Sequence, residues 1–219
     1  MEAPPFQQLP RTSKDLLDQA LKSGRVHIGQ ILLGTDFSLR HQEDAGLDHL
    51  KRYDEPQQAR QIARYDGLGN YRPLKSAPNL GRGWLLHAGS LEGMELALDF
   101  FYPSALGLWL SWLRGTLHPT PFRETLARQT GMYRVTQLLT EAQAGELVAR
   151  CCNSETGCLR TILWKMNPAE NSTCPPPSKF SLDTLSSDRI PLICRELCNL
   201  VVAAARPIAK GNLPKVGDS

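Results

Sequence analysis

All six cysteines of this 219-residue chain fall between Cys151 and Cys198. The stretch opens with Cys151-Cys152-Asn153-Ser154-Glu155-Thr156-Gly157-Cys158 and closes with Cys194-Arg195-Glu196-Leu197-Cys198; Cys174 lies between them, ahead of three prolines. Such concentration is not random core filling, because grouped thiols must be liganded, oxidised in pairs or kept apart by the fold. Soft thiolates drawn from separate segments are the donors used by iron–sulfur clusters and by structural zinc. The stretch reads as a thiolate-bound metal centre, with an iron–sulfur cluster as the leading occupant and zinc as the alternative.

The rest of the chain bears on that choice through its compartment. Met1 to Arg11 has no apolar run of the kind a signal peptide needs. No segment approaches the ~20 consecutive apolar residues that span a bilayer. A soluble, cytoplasmic protein is expected, and in a reducing cytosol grouped thiols are more often metal ligands or redox groups than disulfides. The Asn171-Ser172-Thr173 sequon then carries little weight. An apolar content of 41% is enough for a packed core, and a net charge of +3 is too small to argue for nucleic acid.

Local patterns predict an α+β fold: a small N-terminal portion containing a β-hairpin, then a mostly helical, cysteine-rich C-terminal portion. Thr12 to Gly24 has the cap, the apolar face (Leu16, Leu17, Ala20, Leu21) and the terminal glycine of a short helix. Residues 25–33 alternate as one strand, Gly34-Thr35-Asp36 signals a turn, and residues 37–41 return, giving a hairpin over 25–42. A helix is expected from Pro56 to Tyr65, then a turn-rich loop over 65–84. Ser90 to Tyr102 reads as a capped helix ending before Pro103, and Ser104 to Leu117 as a buried one with Trp109 and Trp112 in the core. A further short helix over 121–131 closes at Gly131. Thr140 to Gln143 forms a capping box whose helix runs to Arg150 and delivers the chain to the first cysteine pair. The implied division is 1–12 flexible, 13–105, 106–207, and 208–219 a flexible tail.

Cys194 and Cys198 stand four residues apart, so a helix begun near Pro191 would place both sulfurs on one face, close to the positive end of its dipole. Cys152 and Cys158 are separated by five residues, a loop able to wrap a cluster corner, and Cys151 offers the alternative spacing. These spacings match neither the common ferredoxin run nor paired zinc knuckles, so the residues alone leave cluster, zinc, and unliganded or disulfide cysteines open. Cys174 reads as an exposed loop thiol. Arg160 and Arg195, beside candidate ligands, carry charge that would tune a cluster's potential. Arg64, Arg72, Lys75 and Arg82 could meet a polyanion, though a solvated loop is the plainer reading. His27 and His41, on facing strands of the expected hairpin, read as surface histidines rather than a metal site. Arg128 and Arg134, around Gly131, could each brace a neighbouring carboxylate.

The segments Cys158-Leu159-Arg160-Thr161-Ile162-Leu163-Trp164 and Cys194-Arg195-Glu196-Leu197-Cys198-Asn199, with Ala204-Ala205-Arg206, resemble a known family. It is the four-iron–four-sulfur domain that follows a stabilising domain in some sirohydrochlorin or cobalt chelatase-like proteins. Phe101-Tyr102-Pro103-Ser104-Ala105, the stretch from Arg128 to Arg134 and Tyr71-Arg72-Pro73-Leu74-Lys75 agree with it, so the resemblance covers roughly residues 20–207. It implies a stabilising-type domain over 13–105 and a cluster-binding domain over 106–207. It further implies a cluster held by Cys158, Cys194, Cys198 and one of Cys152 or Cys151. The chain departs from the family in having no room for a chelatase domain in its first 20 residues, and its five histidines are scattered. The expected role is therefore electron transfer to, or support of, a tetrapyrrole-pathway or redox protein. The alternatives are a protein merely stapled by its metal, or an enzyme holding an anionic substrate on the 65–84 loop.

Overall fold

The computed structural model describes residues 9–24, 27–66, 68–72, 79–152, 158–165 and 189–212. They form two compact units. The first takes the described residues of Met1–Arg72, Asn79–His118 and Ser186–Leu192; the second takes those of Pro119–Leu185 and Ile193–Ser219. Both mix helices and strands, so the fold is α+β. Among the described residues no single helix is long and apolar enough to cross a membrane.

The first unit opens with helix α1 (Ser13–Lys22), whose start is fixed by a reciprocal cap. Thr12 Oγ1 accepts the Asp15 N–H and the Asp15 carboxylate accepts the Thr12 N–H, both at 3.0 Å. Leu16, Leu17, Ala20 and Leu21 turn inward, as their spacing predicts.

The expected strand over 25–33 is not continuous. It folds back at Gly29-Gln30 into β1 (His27–Ile28) and β2 (Ile31–Leu33), which pair antiparallel, and β2 then pairs with β3 (Ser38–His41). Tyr102 causes the break. Its hydroxyl accepts the Gln30 N–H at 2.9 Å, and its ring lies where a side chain on residue 29 would stand, 2.5 Å from an added Cβ. Gly29 adopts φ +56°, a region that glycine enters without penalty.

The sheet continues with β4 (Lys51–Tyr53) and β5 (Trp84–His87), and β9 (Arg189–Ile190) returns from far along the chain to its opposite edge. The strand order is β4-β5-β3-β2-β1-β9. The helix expected near 56–65 is a 3-10 turn (Pro56–Gln58) leading into α2 (Ala59–Arg64). Helix α3 (Leu91–Phe101) is capped by the Ser90 hydroxyl, which accepts the Gly93 N–H at 3.1 Å. Helix α4 (Ala105–Leu113) buries Trp109 and half-buries Trp112. Trp84 stacks on Phe101 at 5.2 Å between ring centres.

In the second unit, α5 (Phe122–Ala127) ends four residues short of the expected close at Gly131, and a 3-10 segment (Gly131–Leu138) follows, over residues for which no element was expected. Helix α6 (Glu141–Cys151) and helix α7 (Asn199–Asn212) pack together, and α7 extends through residues read as a tail. Two short ribbons complete the unit: β6 (Thr120–Pro121) beside β8 (Trp164–Lys165), and β7 (Arg160–Ile162) beside β10 (Leu192–Cys194). The core gathers Leu126, Leu147, Val148, Val201 and Ala205, with Phe122 tilted against Trp164 at 4.7 Å.

Candidate metal centre

Three pieces of the second unit deliver cysteines. Helix α6 begins with the predicted capping box, the Thr140 hydroxyl accepting the Gln143 N–H at 3.3 Å and the Gln143 side chain accepting the Thr140 N–H at 3.0 Å. Its apolar face carries Leu147 and Val148 inward, so its last residue, Cys151, is buried, and Cys152 closes the final turn with its N–H on the Val148 carbonyl at 2.9 Å. Cys158 lies two residues ahead of β7, half-buried. The third piece supplies both Cys194 and Cys198.

The helix expected to carry that pair does not exist. Cys194 is the last residue of β10, whose Leu192 and Ile193 are buried, and α7 starts only at Asn199. Strand end and helix start are joined by the turn Arg195-Glu196-Leu197. The same four-residue spacing therefore arises from a strand–turn–helix corner. Cys198 still sits at the positive end of a helix dipole, its carbonyl accepting the Val202 N–H at 3.1 Å.

The described thiols, Cys151, Cys152, Cys158, Cys194 and Cys198, form no disulfide. Burial pushes the Cys194 thiol up to about 12, opposed by the Arg160 charge. Burial also raises Cys152, and negative charge on Cys158, Cys194, Cys198 or Cys151 would raise it further. Cys158 and Cys151 are raised by burial too, opposed at Cys158 by the backbone N–H of Arg160 and at Cys151 by Arg150. Cys152 thus feels four neighbouring thiols, Cys158 feels Cys198 and Cys151, Cys194 feels Cys198 and Cys158, and Cys151 feels Cys198. Among the described residues no three His, Cys, Asp or Glu side chains close on a point as the ligands of one metal ion do. A soft, all-thiol set drawn from three segments is the donor chemistry that an iron–sulfur cluster takes.

The turn between the last two cysteines is gripped on its carbonyl side. Arg160 Nη1 donates to the Ile193 carbonyl at 3.1 Å, and the Leu163 N–H donates to that of Cys194 at 2.8 Å. Trp164 Nε1 and Arg128 Nη2 both donate to the Arg195 carbonyl, at 3.2 and 3.3 Å. Arg128 also pairs with the Glu196 carboxylate at 2.9 Å, and the Cys194 thiol donates to the Glu196 carbonyl at 3.3 Å. Tyr133 donates to the Asn199 side chain. Arg160 therefore stands among the candidate ligands. The Arg195 side chain is half-exposed and lies 3.9 Å from Glu196. Sequence reasoning missed Trp164 and Tyr133 as members of this site; the indole sits inside the Cys158-to-Trp164 segment that carried the resemblance.

Other candidates lie elsewhere. His27 and His41 are not on facing strands: β2 runs between theirs, with His27 opposite Leu32 and His41 opposite Ile31. His41 is no surface residue either. It is 1% exposed, accepts the Glu43 N–H through Nδ1, and burial lowers its pKa. Arg72 is 2% exposed and donates to Asn79 at 2.8 Å beside Tyr102, so it is a core residue of the first unit and not a solvated loop cation. Arg82 pairs with Glu43 at 2.8 Å, and Arg64 and Arg134 are exposed. Cys174 and Lys75 lie outside the described residues.

Residues 114–207 match the family model of a 4Fe-4S iron–sulfur cluster binding domain, and residues 13–112 match that of the DR2241 stabilising domain. Among solved structures, the chain is similar to DR2241 from Deinococcus radiodurans, described as a multi-domain protein with structural similarity to chelatases and two additional novel domains. The TM-score is 0.67 and the identity 27%, over 91% of this chain and 42% of that one. The chain thus spans less than half the length of that relative. No curated protein matches the sequence.

Proposed function

In a chain that joins a DR2241 stabilising domain (residues 13–112) to a 4Fe-4S cluster-binding domain (residues 114–207), we propose that the second unit carries a four-iron–four-sulfur cluster on Cys152, Cys158, Cys194 and Cys198. The observation that carries this is the grouping of thiols from three segments within reach of one another's charge, all inside the matched domain. Without a cation each thiolate opposes its neighbours; iron reverses that sign and displaces the protons. Cys152 takes the fourth position over Cys151 because it feels all four of the other described thiols.

The chain then serves, in the cytoplasm, as an electron-transfer or accessory partner of a tetrapyrrole-handling, chelatase-like protein. The likeness to DR2241, itself similar to chelatases, supports that link. A bound cluster supplies one-electron transfer; the protein supplies its ligands and the Arg160 charge near them. Purification without oxygen, followed by iron, sulfide and zinc analysis, tests the proposal. A brown protein whose broad visible absorption bleaches with dithionite is expected. A colourless zinc protein would overturn it.

One observation favours a second, structural role. Cys151, Cys152 and Cys194 belong to the apolar core of the second unit, at 7%, 5% and 8% exposure. A cluster so placed would also hold α6, β10 and α7 together. A bound cluster that no reductant can reduce would select that role.

A further inference from the structure

We propose that Arg128 and Trp164 are positioning residues that hold the Cys194–Cys198 turn ready for its cluster before any metal arrives. The inference rests on the cluster assignment above but concerns residues that bear no ligand atom. The turn contributes two ligands yet has no regular structure of its own, ending one strand and starting one helix. A free turn would lose backbone entropy on loading.

Here the Arg195 carbonyl is held twice, by the Trp164 indole at 3.2 Å and by Arg128 at 3.3 Å. Arg128 reaches on to the Glu196 carboxylate at 2.9 Å. These two grips come from different parts of the unit, Trp164 from β8 and Arg128 from the end of α5. Trp164 is itself fixed, 8% exposed and packed on Phe122 at 4.7 Å. The Arg195 carbonyl is therefore held by one side chain fixed in the core, Trp164, and by one exposed side chain, Arg128, that is tied to Glu196. Outer partners of this kind orient ligands and tune the metal they hold.

Two variants separate the grip from the fold. Trp164→Phe keeps a ring on Phe122 and removes only the indole donor; Arg128→Ala removes an exposed side chain. In metal-free wild type, hydrogen exchange at the amides of Arg195, Glu196 and Leu197 should be slowed, and both variants should release it while melting as wild type. In reconstituted protein, iron retention against a chelator should fall about 10-fold in each variant, as outer-partner mutations commonly do. The midpoint potential and the spectrum of the reduced cluster should shift, with Arg128→Lys restoring part of both. Variants that keep wild-type exchange, retention and spectrum would overturn the inference. A wild type that binds no iron and sulfide would instead overturn the cluster assignment beneath it.

Discussion

Cys151 and Cys152 are neighbours with different surroundings, and the difference bears on which one meets metal. Cys151 is still helical, its buried thiol acted on by the adjacent Arg150 and by Cys198 alone among the thiols, whereas Cys152 has left the helix and feels Cys158, Cys194 and Cys198 together. Serine nearly matches cysteine in size but offers a hard oxygen in place of a soft sulfur. Cys152→Ser should therefore lose most of its iron and its visible absorption on anaerobic reconstitution, and Cys151→Ser should keep both. The opposite pattern would move the fourth ligand to Cys151. Buried polar side chains of the first unit depend on their surroundings in the same way. Arg72 is a core residue only because Asn79 and Tyr102 meet it there, contacts that no local pattern around residue 72 announces.

At the scale of elements, the β1–β2 turn turns on one glycine. An alanine at position 29 would pay about 1–2 kcal/mol for left-handed backbone, and its Cβ would also run into the Tyr102 ring at 2.5 Å. Gly29→Ala should lower the denaturant midpoint of the first unit by more than the backbone term alone. A loss no larger than that backbone cost would mean that the ring yields freely. This turn also marks where sequence stops being a guide. Helices α1, α3 and α6 were legible because Thr12, Ser90 and Thr140 cap them within three residues. The break at Gly29-Gln30 was not, because its cause sits 72 residues from Gln30. The cysteine pair at 194 and 198 was legible as a pair of ligands but not as a corner. A four-residue spacing suits a helix face and a strand–turn–helix equally, and only the pairing of β10 with β7 decides between them.

For the whole molecule, metal and pH should act in opposite senses. In the metal-free protein, burial holds Cys194 up at about 12 against an ordinary value of 9.0, and raises Cys152 as well. The folded state then keeps protons that the unfolded chain releases, so this contribution is intact below pH 9.0 and is lost as pH rises through about 12. With a cluster bound, the ligand thiols are already deprotonated in the fold, while the unfolded chain rebinds those protons below their ordinary pKa. Stability of the loaded form therefore rises with pH up to that value and falls as pH drops. Thermal unfolding of both forms from neutral pH to pH 10 should show a midpoint that climbs toward pH 9 when loaded and declines above it when metal-free, with the decline confined to the transition of the second unit. Parallel pH slopes in the two forms would mean that the buried thiols are not where the metal binds.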